Sequence, residues 1–236
     1  MEPYISKVTG PCIILAGAGT GKTHSIINKL KYIIDKKIYP INQIVCLTFS
    51  NEAVNTIIQR IIPYLKDEEP IIKTFHSFCA DLLRKHGEKI GISQKFKIIL
   101  PDDGKILLHK YFKINPILCN KYIDEIGTKK DNGKNLKDFK HKSKSPEDLE
   151  ELTKKLEEIK FRINTAHIKK TSKNDLNKLK EERDKISLEI DNGKFFQTWN
   201  LYEKIKITKN GLDYADLHQK ALELLNKYPE IANEFD

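Results

Sequence analysis

Short apolar runs alternate with longer amphipathic ones from Cys12 to about Ile90. Each apolar run has the length of a buried strand, and each amphipathic stretch has apolar residues at helical spacing. This alternation predicts repeated strand and helix units around a parallel sheet, an α/β architecture. The predicted strands are Cys12–Leu15, Ile44–Phe49 and Ile71–Phe75, and the predicted helices are Lys22–Ile34, Asn51–Leu65 and Ser77–Ile90.

Beyond Pro101 the sequence becomes mostly helical and polar. A stretch rich in Lys, Asp, Asn and Gly at Thr128–Ser145 predicts an exposed loop. Apolar residues then recur at spacings of three and four over Leu149–Ala166, and again over Leu176–Ile190 after a polar turn at Lys169–Asn174. The pattern predicts an antiparallel hairpin with a coiled-coil-like seam, which is more often a scaffold than a catalytic element. Its apolar edges would allow self-association.

The chain has 236 residues, enough for one large domain or two modest ones. Its formal net charge of +9 favours an acidic partner such as nucleic acid, although a lysine-rich composition also arises from an AT-rich genome. The apolar run Pro11–Ala16 is too short to cross a bilayer, and Met1–Pro3 lacks the basic start of a secretory signal. We therefore expect a cytoplasmic protein with no membrane partner.

The cysteines are spaced singly, without a C-x-x-C pair or a histidine at metal-ligand spacing. Two of them lie in strand-like apolar runs, where a buried thiol behaves as a small hydrophobe. The sequence therefore predicts free thiols and neither a zinc nor a redox site. The four cysteines are Cys12, Cys46, Cys79 and Cys119.

The turn after the first predicted strand has the composition of a phosphate-binding loop. It reads A-G-A-G-T-G-K-T and stands between a strand and a helix, as such a loop requires. Small residues let successive amides point inward at phosphate oxygens, beside a helix N-terminus that favours anions. Lys22 is placed to reach the β- and γ-phosphates, and the Thr23 hydroxyl to ligate Mg²⁺, so the predicted cofactors are ATP and Mg²⁺.

Lys22 and Thr23 are thus the catalytic candidates, and Thr23 is the metal-ligand candidate. Ala16 stands where the strict pattern has glycine, so the alternative is a glycine-rich turn with an ordinary lysine. The predicted nucleotide-binding residues are Ala16, Gly17, Ala18, Gly19, Thr20, Gly21, Lys22 and Thr23.

Two further strand-to-helix junctions narrow the choice among P-loop proteins. The second strand ends in L-T-F-S-N-E-A at Leu47–Ala53, and the third in K-T-F-H-S-F-C at Lys73–Cys79. Together with Leu15–Thr23, these segments resemble motifs I, Ia and Ib of the UvrD/Rep/PcrA group of superfamily 1 DNA helicases, in the same order and at similar spacing. The resemblance resumes at Trp199 and Tyr202 and at Gly211–Leu217.

The resemblance implies an ATP-driven motor that moves 3′ to 5′ on single-stranded DNA and unwinds duplex junctions. It implies a P-loop RecA-like parallel sheet with helices, the first part of domain 1A, at residues 1–100. An inserted all-helical domain 1B would span 101–205, and a segment returning to 1A would span 206–236, ending before the Walker B strand. The sequence contains no D-E-x-Q-D pattern. We therefore expect the chain alone to bind ATP without hydrolysing it briskly.

The resemblance also implies the residues that contact DNA. Ligands of open α/β sheets gather at the carboxyl ends of strands, where these motifs fall. These residues also have structural alternatives to DNA contact. Ser50 and Asn51 could serve solely as helix caps, Phe49 could be a core residue, and His76 could have a purely structural role. Phe78 is more typical of the core. The DNA-binding candidates are Thr48, Phe49, Ser50, Asn51, Thr74, Phe75 and His76.

Two departures from the family pattern limit what can be carried over. Glu52 stands where the family usually has lysine, and nothing in Met1–Gly10 matches its adenine-reading glutamine motif. The lysines around Lys129–Lys144 could contact duplex DNA or belong to a solvated loop. Two other classes of function stay open: a P-loop phosphotransferase for a small molecule, and a non-catalytic fragment that binds a partner through its hairpin.

Overall fold

The chain folds into two compact units in a computed structural model that describes residues 10–15, 17, 19–65, 68–142, 144–166 and 172–235. One unit comprises the described residues up to Gln94 together with those from Lys220 onward, and the other is Lys95–Gln219. The strands are β1 (Val45–Thr48), β2 (Ile71–Thr74), β3 (Lys97–Ile99) and β4 (Gly211–Asp213). The α-helices are α1 (Lys22–Asp35), α2 (Asn51–Ile61), α3 (Phe75–His86), α4 (Pro101–Phe112), α5 (Pro116–Asp131), α6 (Pro146–Thr165), α7 (Lys173–Thr208), α8 (Tyr214–Lys227) and α9 (Pro229–Ala232).

The first unit is built on the parallel pair β1 and β2. Val45 is opposite Ile71, and Thr48 is opposite Thr74. These strands lie within a residue of the predicted bounds at each end, because their apolar residues pack against helices α1 and α2. The shared core consists of Ile27, Leu30, Ile34, Ile44, Cys46, Ile57, Ile61 and Ile72.

The prediction of a strand at Cys12–Leu15 is wrong for the structure as described. This segment is neither helix nor strand, Leu15 is 92% exposed, and Cys12 is exposed rather than buried. A mostly apolar cavity of about 460 Å³ lies between the segment, helix α1 and strand β1. A strand is stable only where a neighbour completes its ladder of hydrogen bonds, and within the described residues β1 pairs with β2 alone.

The observed ends of two helices differ from the predicted ends because of local residues. Helix α3 begins at Phe75, two residues before the predicted start, because the Thr74 side chain accepts a hydrogen bond from the Ser77 amide. Helix α2 ends at Ile61 and continues as a 3-10 turn that contains Pro63, whose nitrogen has no proton to donate.

The second unit is mainly helical around an aromatic core. Its small sheet pairs β3 with β4 in parallel, with Lys97 opposite Gly211. Much of the segment predicted as an exposed loop, Thr128–Ser145, is helical. Helix α5 continues to Asp131, and a 3-10 helix spans Leu136–Lys142. Phe139 of that 3-10 helix packs against the core and so holds the segment in place. The core residues are Leu108, Cys119, Tyr122, Ile123, Ile126, Phe195, Phe196, Trp199 and Tyr202.

Helices α6 and α7 pack side by side in opposite directions. Lys155 pairs with Glu182, and Lys144, just before α6, pairs with Glu189. The earlier residue of α6 or its start thus pairs with the later residue of α7, so the two helices run antiparallel. A buried cluster of Leu156, Ile159, Ile186 and Ile190 lies between them. None of the described helices combines the length and the apolar character needed to cross a membrane.

Candidate functional site

The turn before helix α1 closes around one carbonyl group. Lys22 Nζ and the Thr20 hydroxyl both donate to Gly17 O, at 2.7 Å each. Gly19 and Gly21 have φ angles of 74° and 85°, in the left-handed region that glycine adopts without strain. The turn is therefore compact, and its shape depends on these two glycines.

The start of helix α1 suits an anion. The helix begins at Lys22, its N-cap Gly21 offers no side-chain acceptor, and none of the residues in its described first turn is acidic. Its first amides and the helix dipole therefore favour a phosphate group. Thr23 is exposed beside them. Ala16 and Ala18, which the sequence also assigns to the nucleotide, lie outside the described residues.

The junction after β1 presents an aromatic ring to solvent. Phe49 is 92% exposed, which excludes the alternative that it is a core residue. Ser50 caps helix α2, since its hydroxyl accepts a hydrogen bond from the Ala53 amide at 3.2 Å. Thr48 is half-buried and Asn51 is exposed. The ring is therefore available to a ligand, whereas the Ser50 hydroxyl already has a structural role.

The junction after β2 has the same form. The Thr74 hydroxyl accepts from the Ser77 amide at 3.2 Å and donates to the Ser77 hydroxyl at 2.9 Å. Phe75 is 56% exposed, and His76 is half-buried. Thr74 is itself buried, so it holds the start of α3 while Phe75 faces solvent.

The parallel register brings these two junctions together. Thr48 and Thr74 are directly opposite each other at the carboxyl ends of β1 and β2. Neighbouring strands are about 4.8 Å apart. The exposed rings of Phe49 and Phe75 therefore follow adjacent strand ends on one edge of the sheet, beside two helix N-termini.

Five charged side chains form a buried ion cluster in the second unit. Lys206 Nζ lies 2.7 Å from Asp213 Oδ2 and 2.5 Å from Asp216 Oδ2. Lys130 Nζ lies 3.0 Å from Asp213, contacts Asp216, and lies 3.3 Å from Glu203 Oε1. Lys206 and Lys130 are 2% and 4% exposed. The cluster ties helices α5 and α7 to the start of α8.

The ion cluster has the acid spacing of a metal site but already contains its cations. Carboxylate oxygens of Glu203, Asp213 and Asp216 lie within 4.8 Å of one another. The ammonium groups of Lys130 and Lys206 occupy the space between them and supply the positive charge. The cluster is therefore structural rather than a metal centre.

Burial and ion pairing shift the pKa values of the side chains in this cluster in opposite directions. Burial would raise the pKa of Asp213, but the nearby Lys206 and Lys130 outweigh it and hold that pKa well below its usual value. Burial and the Asp213 charge raise the pKa of Asp216. Burial would lower the pKa of Lys206, but Asp213, Asp216 and Glu203 raise it well above its ordinary value of 10.5.

Sequence reasoning did not find this cluster. A partial signal exists, because Asp213 and Asp216 each accept a hydrogen bond from the other's backbone amide, a capping arrangement typical of acids three residues apart. Lys130 lies within the lysine-rich stretch considered for duplex DNA, and its burial removes it from that role. Lys129 and Lys144 of the same stretch are paired with acids.

Comparison with known proteins identifies the family of the chain. Residues 2–236 match the family described as the UvrD/REP helicase N-terminal domain. The chain belongs to this family. It is 29% identical over 233 residues to a probable DNA helicase II homolog of Mycoplasma capricolum subsp. capricolum, covering 98% of this chain and 27% of that protein.

PcrA proteins are also similar to this member of the UvrD/REP family. The ATP-dependent DNA helicase PcrA of Staphylococcus aureus is 32% identical over 120 residues, covering 50% of this chain and 16% of that protein. PcrA of Staphylococcus epidermidis is 32% identical over 150 residues, covering 62% and 20%. The chain thus spans about a quarter or less of the length of these relatives.

Proposed function

We propose that this chain is the ATP- and DNA-binding N-terminal portion of an ATP-dependent 3′–5′ DNA helicase, which moves along single-stranded DNA and opens duplex junctions. In this proposal residues 1–100 and 206–236 belong to domain 1A, and residues 101–205 form the helical insertion 1B. The turn Ala16–Thr23 holds the nucleotide, and the junctions after β1 and β2 hold the DNA strand.

One observation carries the proposal: Thr48 and Thr74 are neighbours in the β1–β2 ladder. The two junctions that resemble helicase motifs therefore lie side by side. Each combines an exposed ring with a helix N-terminus, and together they suit a strand whose bases stack while its phosphates meet amides. Helix α1, which follows the phosphate-binding turn, packs on the same strands through Ile27 and Leu30.

The nucleotide site follows from the chemistry of the turn. Lys22 would exchange the Gly17 carbonyl for phosphate oxygens, and the first amides of α1 would bind the same group. Bound Mg²⁺ neutralises charge on the phosphates, and the exposed Thr23 hydroxyl is the side chain of this turn suited to ligate it. The relatives named ATP-dependent helicases support this choice of ligand.

Replacing Phe49 by alanine is expected to weaken binding of a single-stranded oligonucleotide by about tenfold, because stacking of one base on one aromatic ring contributes about 1–3 kcal/mol. The side chain is 92% exposed, so the variant should fold normally. Fluorescence anisotropy with a labelled oligothymidine measures the affinity.

The matched control is Phe161→Ala, which removes another exposed ring from helix α6. It is expected to leave the affinity unchanged. Equal affinities for the wild type and Phe49→Ala would remove Phe49 from the interface. A wild-type chain that binds no oligonucleotide at low salt would contradict the proposal as a whole and favour the phosphotransferase or partner-binding classes.

We expect the 236-residue chain to bind ATP without DNA-stimulated hydrolysis. Phosphoryl transfer in P-loop enzymes uses a water-orienting carboxylate and arginine groups in addition to the phosphate-binding turn. The sequence has no D-E-x-Q-D pattern, and the acids Asp213 and Asp216 are engaged by buried lysines. A phosphate-release assay with and without single-stranded DNA tests this, and a robust DNA-stimulated rate would contradict it.

A further inference from the structure

Three segments of the second unit carry lysines and no acidic residue, and the fold brings them together. They are residues 95–100, 104–115 and 204–212. Lys97 N donates to Asn210 O at 2.8 Å, and Asn210 Nδ2 donates to Lys95 O at 3.2 Å. Lys209 Nζ lies 5.6 Å from the centre of the Tyr111 ring. The start of β3 and the ends of helices α4 and α7 therefore share one surface.

This surface is strongly basic. Four of its exposed lysines form what we call the basic face, and no Asp or Glu lies within the three segments that carry them. Lys206 is excluded because it is buried in the ion cluster, and Lys105 because it pairs with Asp102. The residues of the basic face are Lys97, Lys110, Lys113 and Lys209.

An exposed aromatic ring stands among these cations. Tyr111 is 50% exposed, and Lys110 and Lys209 lie 5.8 and 5.6 Å from its ring centre. Ile207, 79% exposed, adds an apolar side chain at the end of helix α7, two residues before Lys209. Stabilisation of helix C-termini accounts for single lysines at the ends of α4 and α7. It does not account for a half-exposed ring that has the ammonium groups of both lysines over it.

We propose that the basic face binds a single strand of nucleic acid, with a base stacked on Tyr111 and the flanking phosphates paired with Lys110 and Lys209. A half-exposed ring with two ammonium groups within 6 Å of its centre offers a stacking surface and phosphate-binding cations together, which matches the alternation of base and phosphate along such a strand. The inference rests on the proposed function for its ligand. It adds a contact surface separate in sequence from the junctions after β1 and β2.

The experiment compares Lys110→Gln/Lys209→Gln, Tyr111→Leu and Tyr111→Phe in anisotropy titrations of the whole chain with labelled oligothymidine. Loss of two phosphate contacts should lower the slope of log affinity against log salt by about 1.4, and the affinity at 0.1 M salt by about 10- to 30-fold. Tyr111→Leu should weaken binding by about tenfold with little change in slope, and Tyr111→Phe should bind like the wild type.

The double variant Lys178→Gln/Lys180→Gln is the matched control, because it removes the same charge from exposed positions on helix α7. It should change the affinity by less than about twofold. If the two lysine double variants lost oligonucleotide affinity equally, the effect would come from net charge alone and the proposal would be overturned. So would an unchanged affinity of Tyr111→Leu, or binding of polyglutamate that depends on Tyr111 as strongly as oligothymidine does.

The outcome also separates this inference from the function on which it rests. Weakened binding by Phe49→Ala with unchanged binding by all basic-face variants would overturn the basic face alone. Absence of oligonucleotide binding by the wild-type chain would overturn both.

Discussion

Replacing Lys22 by alanine is expected to abolish measurable binding of ATP. Hydrogen bonds to charged groups contribute about 1.5–3 kcal/mol each, so an ammonium group bridging two phosphates accounts for on the order of a hundredfold or more in affinity. The side chain also ties the turn together through its 2.7 Å bond to Gly17 O. Its removal therefore loses both the charge and part of the preformed shape. Isothermal titration calorimetry with Mg-ATP measures the effect directly.

The control for Lys22 lies at the other end of the same helix. Lys36 is exposed at the C-terminus of α1, and Lys36→Ala makes the same change in net charge. We expect its ATP affinity to match that of the wild type, while Lys22→Ala gives no heat of binding and an unchanged circular dichroism spectrum. An unaltered affinity of Lys22→Ala would remove the phosphate-binding assignment.

The elements that the sequence predicted correctly are those whose partners are close in the chain. β1, β2 and α1 carry apolar residues at spacings that bury one face within a single strand–helix unit, so pattern alone was sufficient. Cys12–Leu15 has an equally apolar pattern but forms no strand. Whether such a run becomes a strand depends on a neighbour supplying its hydrogen bonds, which the run itself cannot specify.

The residues of the candidate site also differ in how well the sequence alone predicts their roles. Ser50 was predicted as a possible helix cap, and its hydroxyl does cap α2. Thr74 was placed inside the predicted strand, although its hydroxyl caps α3. The exposure of Phe49 was not foreseeable from local sequence, since an aromatic residue at a strand end is equally typical of a core. The ion cluster was also missed, because Lys130 meets Asp213 across 83 residues and a single lysine carries no mark of its partner.

Replacing Lys206 by methionine is expected to destabilise the second unit by about 3–5 kcal/mol, the usual cost of removing one member of a buried charge network. Methionine has a similar length and fills the space, but Asp213 and Asp216 would each lose one of their two ammonium partners while remaining buried. Trp199 reports on this region, since it is the only tryptophan of the chain and its Nε1 donates to Glu203 at 3.0 Å. Urea unfolding followed by tryptophan fluorescence gives the difference in free energy.

Lys204→Met provides the comparison, because Lys204 is exposed two residues away on the same helix and should change stability by less than about 0.5 kcal/mol. The pH dependence tests the ionic origin. The pKa of folded Lys206 is raised above 10.5, so between neutral pH and pH 10.5 it is charged in both states and the gap in stability between wild type and Lys206→Met should stay constant. Above that pH the unfolded lysine loses its proton first, so its contribution falls and the gap narrows. Equal stability of Lys206→Met and Lys204→Met at neutral pH would show that Lys206 contributes no net stabilisation.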